Sequence, residues 1–372
     1  MPEKKYLLAI DLGAGQGSKI GLFSPDNCLL AQTMLPLEKY GNTAESLADA
    51  LTEALAEFLR ENNSGLDAVR AIGIATPGLL RSDGSFLLAA NLSFLNNHNL
   101  RDMLAERTGL PVALENDANT GAIAEWSILR VELLYWVFGG GWGGAWVTHD
   151  GKIKYPCRDW DGDDASLHYT GEPGYAIPLP KKKLRDLFYE VGASFDQFEE
   201  ILAKELGVSL PVTGPSGSPD HLRAEAILSG PGRFRLFHAI VGDDDAYCEF
   251  LNIHETSEIR DSSIAGKHIS KLSRMRVEAA INTDRLFGKI LAEALHIMVK
   301  QAKSDDIKED LPICLGGKPS YALPYFGPST QRKIGSLGML YYLRPSVIDD
   351  RGSNANLVGA ATMAEMLFNS QA

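Results

Sequence analysis

The chain has 372 residues, of which 45% are hydrophobic, 23% charged and 8% aromatic, proportions that exclude a disordered, collagen-like or disulfide-framework protein. At roughly 100–200 residues per domain, the length predicts two domains or a duplicated one, with ample core. Lys and Arg number 36 against 48 Asp and Glu, a net charge of −12, and such a surface repels nucleic acid and acidic membranes, so a polyanionic ligand needs a local binding device.

The four cysteines (Cys28, Cys157, Cys248, Cys314) form no C-x-x-C pair, which speaks against a zinc knuckle or disulfide framework and fits a reducing cytoplasm. The first residues, MPEKKYLLAIDLG, have too short an apolar run for a signal segment. No stretch reaches the roughly 18 apolar residues of a membrane span.

In chain order, Tyr6–Asp11 reads as a strand, Gly13-Ala-Gly-Gln-Gly17 as a turn, Lys19–Phe23 as a return strand, Pro25-Asp-Asn27 as a turn and Cys28–Met34 as a third strand. Leu47, Leu51, Leu55, Phe58 and Leu59 recur at helical spacing and predict a helix from about Asn42 to Asn62. Val69–Ala75 reads as a buried strand ending at Thr76-Pro-Gly78, followed by a helix near Leu100–Thr108, a strand Val112–Glu115 and a helix near Asn119–Leu129.

The pattern then restarts. Leu133–Phe138 is an apolar strand, Gly139-Gly-Gly-Trp-Gly-Gly144 a turn, Ala145–Thr148 a return strand, and His149-Asp-Gly151 turns into Lys152–Tyr155. This second strand–glycine turn–strand–turn–strand module points to an internal duplication, with two glycine loops on either side of a cleft. Pro211–Pro219 reads as a loop, Arg276–Lys303 as a long helix, Leu311–Leu315 as a strand entering Gly316-Gly317, and Asn356–Phe368 as a closing helix.

Four groups of residues could carry chemistry. Glycine turns let backbone N–H groups converge on phosphate without side-chain obstruction, and neither glycine loop has P-loop or Rossmann spacing. Asp11, at a strand end beside the first loop, has the chemistry to hold hydrated Mg²⁺, and Lys19 has the charge to face phosphate. Glu115-Asn-Asp-Ala-Asn119 reads either as a helix cap or as a strand-end carboxylate able to take a hydroxyl proton. Glu172 and Glu225 sit among small and turn residues, as expected for carboxylates projecting into a pocket, where they accept hydrogen bonds from vicinal hydroxyls.

Other signals fail. Asp159–Asp164 lacks the EF-hand spacing, with Thr170 at the twelfth position. Asp243-Asp-Asp245 reads as a solvated turn, the eight histidines show no H-x-x-x-H pair, and no G-x-S-x-G exists for a hydrolase triad.

Taken in order, Asp11-Leu-Gly13 with Lys19, Phe138–Gly144 and Leu315-Gly-Gly317 resemble the two phosphate motifs and the adenosine motif of sugar kinases in the actin-like ATPase superfamily. Glu115–Asn119 resembles the sugar-side motif of ROK kinases, and Gly171-Glu-Pro-Gly-Tyr175 with Ala224–Gly232 is similar to bacterial glucokinases. The resemblance implies a duplicated α/β, ribonuclease H-like fold. Residues 1–117 with about 348–372 would form a smaller domain, and 118–347 a larger one, with a cleft between them.

It also implies an ATP-dependent kinase acting on the 6-hydroxyl of a hexose, glucose first, in which Asp117 is the general base. Gly78, Asn116, Glu172, Tyr175 and Glu225 would contact the sugar. Asp11, Gly13, Gly15, Gly17, Lys19, Gly139, Gly140, Gly141, Gly316 and Gly317 would contact ATP, with Mg²⁺ reached from Asp11 through water. A cytoplasmic homodimer with no nucleic-acid or membrane partner is expected.

Three departures mark this chain. The first loop is longer than the usual Gly-Thr-Lys form, Gly140 replaces a threonine, and Tyr175 stands where a sugar-binding histidine is expected. The alternatives are therefore a kinase for fructose, mannose or an N-acetylhexosamine, or a non-catalytic sensor of sugar or nucleotide. Neither the zinc-site cysteines nor an N-terminal DNA-binding helix pair is seen, so the repressor branch is not expected.

Overall fold

The computed structural model describes residues 5–13, 17–35, 42–81, 83–89, 92–154, 172–213, 217–254, 262–301 and 310–371. The chain divides into two compact units, one of residues 1–135, 145–153 and 346–372, the other of 136–144 and 154–345. Each is described by itself.

The chain opens with β1 (Tyr6–Asp11), β2 (Ser18–Phe23), β3 (Leu29–Leu35), α1 (Ala44–Glu61), β4 (Val69–Thr76), β5 (Leu79–Leu80), β6 (Phe86–Leu88), α2 (Leu100–Thr108), β7 (Val112–Asn116) and α3 (Asp117–Leu129). It continues with β8 (Leu133–Phe138), β9 (Trp142–Val147), β10 (Ile153–Lys154), α4 (Pro173–Ala176), β11 (Pro178–Pro180), α5 (Lys181–Tyr189), α6 (Phe195–Leu206), β12 (His221–Arg223) and α7 (Gly230–Val241). The remainder is α8 (Asp244–Ile253), α9 (Ser262–Arg274), α10 (Glu278–Gln301), β13 (Pro312–Gly316), α11 (Leu323–Ser336), β14 (Tyr342–Pro345), α12 (Val347–Asp350) and α13 (Ala355–Gln371).

The first sheet has the order β3-β2-β1-β4-β7 and the second β10-β9-β8-β13-β14. Counted within its own sheet, each follows the same 3-2-1-4-5 order, which is the topological signature of the duplicated module. In the first sheet β1 pairs antiparallel with β2 and parallel with β4, and β4 pairs parallel with β7. Parallel neighbours require crossover helices, which α1 and α2 supply. Thr43 caps α1, its hydroxyl accepting from Ser46 N at 3.1 Å, and Leu47, Leu51, Leu55 and Leu59 form the buried stripe of that helix.

Helix α13 lies on the other face of that sheet through Leu357, Ala360, Ala361 and Ala364, packed on Leu7, Ala9 and Ala71. The approach is backbone to backbone. A Cβ at Gly73 would stand 1.8 Å from the Ala360 carbonyl oxygen, and one at Gly359 would stand 1.9 Å from that of Thr120. Two glycines therefore seat the C-terminal helix against β4 and α3.

One expected element is corrected. The return strand of the second module does not wait for Ala145 but starts at Trp142 and takes in Gly143 and Gly144. The indole rings explain it. Trp142 and Trp146 are buried, Trp142 packs edge-on against Trp136 at 5.1 Å, and that burial holds a glycine pair extended. The turn proper is Gly139–Gly141.

In the second unit Arg233 and Asp284 form a buried pair at 2.6 Å, with Ser273 Oγ donating to the same carboxylate at 2.5 Å and Arg233 Nη1 donating to the Gly266 carbonyl at 2.9 Å. This network joins α7, α9 and α10 through one guanidinium whose donors are satisfied, the condition under which a buried ion is tolerated. Among the described residues no helix is long and apolar enough to cross a membrane, and Cys28, Cys248 and Cys314 are free thiols.

Candidate active site

In the first unit the site is assembled where β1 ends and α3 begins. Asn116 caps α3, its Oδ1 accepting from Ala118 N at 2.9 Å and Asn119 N at 3.3 Å. Its Nδ2 donates to the Gly78 carbonyl at 2.9 Å. The two expected sugar-side residues Asn116 and Gly78 thus meet, and the cap function is realised. The cap also moves the start of the helix to Asp117, two residues before the expected start.

Asp117 is partly exposed. Burial pushes its carboxyl up to about 6, and the negative charge of Asp11 acts in the same direction, while the 2.9 Å hydrogen bond from Ala118 N opposes both. Desolvation therefore outweighs the backbone donor at the helix start. An aspartate so placed is still ionised at neutral pH yet basic enough to accept a proton, the combination general-base catalysis favours.

Asp11 is held from far along the chain. Its Oδ1 accepts from Asn356 Nδ2 at 2.9 Å and its Oδ2 from Asn354 Nδ2 at 3.0 Å, while Lys19 Nζ lies 4.0 Å away. Asn354 also takes Leu357 N on its own Oδ1 at 3.0 Å, at the start of α13. Glu125 is a parallel case, 0% exposed in α3. Its carboxylate accepts from Ser346 Oγ at 2.8 Å and Val347 N at 2.9 Å, which ties the helix bearing Asp117 to the segment leading to Asn354.

Asp11 suits hydrated Mg²⁺. It is a hard oxygen donor, oriented by two carboxamides and 14% exposed, and Mg²⁺ needs only one or two protein carboxylates because it keeps its waters. Among the described residues no group of three or more His, Cys, Asp and Glu could hold a metal by itself. Gly13 N donates to Ser18 Oγ at 3.2 Å, and Gly17 enters β2. Gly15 lies outside the described residues, as do Gly171 and the aspartates of 159–164.

In the second unit the Gly139–Gly141 turn is pinned by two bonds, Gly139 N to Gly141 O and Gly230 N to Gly139 O, both 2.9 Å. An added Cβ at Gly140 would meet nothing within 4 Å, whereas one at Gly141 would stand 2.4 Å from Glu225 Oε2. A side chain at Gly141 would thus displace the Glu225 carboxylate, whereas Gly140 leaves open backbone. Burial raises the Glu225 carboxyl against a weak 3.4 Å bond from Trp142 N and the charges of Arg223 and Arg235.

Glu225, Tyr175, Gly140, Ser229, Arg223 and Arg235 line one cavity of this unit, with Leu202 and Leu206 as its apolar side. Glu172 stands at the N-cap of α4, where its carbonyl accepts from Tyr175 N and Ala176 N and its side chain makes no cap bond. Gly316 closes β13, and the Gly317 carbonyl accepts from Ser320 N at 3.0 Å.

The sequence profile of the ROK family matches residues 8–153. The glucokinase of Thermotoga maritima is 32% identical over 179 residues, 46% of this chain and 53% of that enzyme. The N-acetyl-D-glucosamine kinase of Vibrio parahaemolyticus is 30% identical over 232 residues, 61% of this chain and 65% of its own. The chain thus matches less than two thirds of the length of either curated relative.

Among solved structures, a ROK family glucokinase from Streptomyces griseus in complex with glucose and AMPPNP has a TM-score of 0.60 at 19% identity, covering 97% of this chain and 99% of its own. A ROK family transcriptional regulator, a homologue of the E. coli MLC protein, reaches 0.66 at 17% identity, covering 98% and 80%. The fold is the one these two ROK proteins have, with two five-stranded sheets of the same strand order.

Nothing local in the sequence marks Asn354, Asn356, Glu125 or Arg223 as residues of these sites.

Proposed function

We propose that the chain is an ATP-dependent hexose kinase of glucokinase type, with Asp117 as general base for the sugar 6-hydroxyl. The observation that carries this reading is Asp117 itself, an aspartate raised to about 6 at a helix start, beside an Asp11 carboxylate held by two carboxamides. Phosphoryl transfer asks for positioning and charge neutralisation more than covalent chemistry.

Asp117 aligns the attacking hydroxyl and takes its proton, a contribution of about 10²–10⁴-fold. Asp11 would hold Mg²⁺ through water, with Asn354 and Asn356 fixing the orientation of its carboxylate. Mg²⁺, when bound, neutralises charge on the transferring phosphate. The open amides around Gly140 suit phosphate oxygens, and Glu225 and Tyr175 suit sugar hydroxyls. The two-domain organisation and a cytoplasmic homodimer follow from the same reading, and light scattering of the purified chain tests the dimer.

A coupled ADP-release assay over a panel of hexoses tests the activity. The expected result is ATP-dependent turnover, highest with glucose, that Asp117→Asn lowers by about 10²-fold or more. No turnover with any hexose, or an undiminished Asp117→Asn variant, would overturn it.

Two observations keep other readings in play. Tyr175 on its arginine favours a different hexose or an N-acetylhexosamine, and Gly140, without a hydroxyl for phosphate, favours a sensor.

A further inference from the structure

Tyr175 does not stand alone. The guanidinium carbon of Arg223 lies 3.4 Å from the centroid of its ring. Arg223 is 4% exposed and Tyr175 37%, so the cation covers one face of the phenol from within the protein, and the tyrosine still borders the cavity it shares with Glu225.

The backbone makes the stack a junction. Arg223 is the last residue of β12, in register with Pro178 of β11, and Ala224 N donates to the Ile177 carbonyl at 3.0 Å. Arg223 also immediately precedes the 3₁₀ turn Ala224–Ala226 that bears Glu225. Short α4, with Glu172 at its N-cap, and the turn with Glu225 are therefore joined by one backbone hydrogen bond and one cation–π stack. Neither α4 nor the turn is long enough to be rigid unaided. The positive charge also acts on Glu225, opposing the effect of burial on that carboxyl.

We propose that Arg223 is a positioning and specificity-determining residue, which fixes the Tyr175 ring and the Glu225 turn in one arrangement and thereby sets which sugars the site accepts. This rests on the hexose kinase reading of the same site. The role belongs to the guanidinium plane as well as to its charge, because an ammonium cannot stack flat on a ring.

The test compares wild type with Arg223→Ala, Arg223→Lys and Tyr175→Phe. Steady-state kinetics on glucose and N-acetylglucosamine are paired with sugar titrations followed by intrinsic tryptophan fluorescence, to which Trp142, whose backbone N–H reaches Glu225, contributes. A buried cation–π contact corresponds to about a tenfold effect or more.

Arg223→Ala is expected to raise the sugar KM and dissociation constant by about tenfold and to compress the preference between the two sugars. KM for ATP and kcat stay within about threefold, because the Gly139–Gly141 turn is held by its own backbone bonds. Arg223→Lys restores less than half of the loss on a logarithmic scale, and Tyr175→Phe, which keeps the stack and removes only the phenol hydroxyl offered to the sugar, gives the share of the loss that belongs to that hydroxyl.

If Arg223→Ala does not fold, Arg223→Lys carries the same comparison. A folded arginine variant with unchanged sugar affinity and preference overturns the proposal while the kinase reading stands. A wild type that binds sugars without turning them over overturns the kinase reading, and the sugar affinities of the variants still decide the role of Arg223. A wild type that neither binds nor phosphorylates any sugar overturns both.

Discussion

The two glycine-turn modules share a strand order but use it for different chemistry. The first ends in Asp11, whose carboxylate oxygens are held by Asn354 and Asn356 from the far end of the chain. The second ends in Phe138 among Trp142 and Phe287, and its turn is held by backbone bonds from Gly139 to Gly141 and Gly230. One module therefore presents a side chain secured by amides, the other a backbone turn secured by its own hydrogen bonds after an aromatic-packed strand end. A strand order specifies where a turn emerges and leaves open which chemical group it presents.

The sharpest way to break this comparison is at the charged module. Asp117→Asn keeps the shape of the side chain and removes its basicity. A fall in kcat of about 10²–10⁴-fold is expected, with the far-ultraviolet circular dichroism unchanged. In wild type, kcat/KM is expected to fall as the pH drops below about 6, where Asp117 takes up its proton. A pH profile flat from 8 to 5 would mean that Asp117 is not the base and that the two modules do not differ in this way.

The second test concerns the amides. Each hydrogen bond to a carboxylate contributes about 1.5–3 kcal/mol, so Asn356→Ala should lower stability to urea by an amount of that order. Asn354→Ala should cost more, since Asn354 also receives Leu357 N at the start of α13, and a lost cap adds about 1 kcal/mol. Equal, near-zero losses would show that Asp11 does not depend on the C-terminal segment.

These residues also mark the limit of what a sequence makes legible. The bounds of β1 and β8 follow from apolar runs stopped by glycine or aspartate, and Asp117 is readable because a carboxylate at a strand-to-helix junction has few places to point. Asn356 reads as the start of the closing helix and Asn354 lies just before it, and nothing local says that their amides meet a residue more than 300 positions earlier. Glu125, inside the expected helix near Asn119–Leu129, carries no local sign that it is fully buried. Gly143-Gly144 reads as a turn because local propensity sees glycine and not the burial of Trp142 that extends it. Arg223 is hidden for the same reason, since its partner Tyr175 lies on a separate element.

A third, smaller effect reverses sign. Burial raises the Asp117 carboxyl to about 6, so the folded protein binds this proton more readily than the unfolded chain does. The group therefore destabilises the fold fully above pH 6, progressively less as the pH falls, and not at all below the ordinary aspartate value near 4. Asp117→Asn should accordingly be more stable than wild type at pH 7–8, by about 1–2 kcal/mol once partial exposure is discounted. The two melting curves should converge near pH 4. The variant that loses the most activity is then the one that gains stability, as expected where a site holds a group in an unfavourable environment for use.

The smallest expected effect separates the two halves of the second turn. At Gly140 an added methyl meets open space, so Gly140→Ala should shift stability by less than about 0.5 kcal/mol. At Gly141 the methyl would enter the place of Glu225 Oε2. Because that oxygen is the end of a flexible side chain, the carboxylate can swing aside, and the cost in stability stays near about 1 kcal/mol. The displacement matters more than the cost. Moving Glu225 should raise the sugar KM in Gly141→Ala while KM for ATP follows the Gly140→Ala control. If ATP rather than sugar binding suffers at Gly141, then this glycine serves the phosphate and not the carboxylate, and the second turn works through its backbone alone.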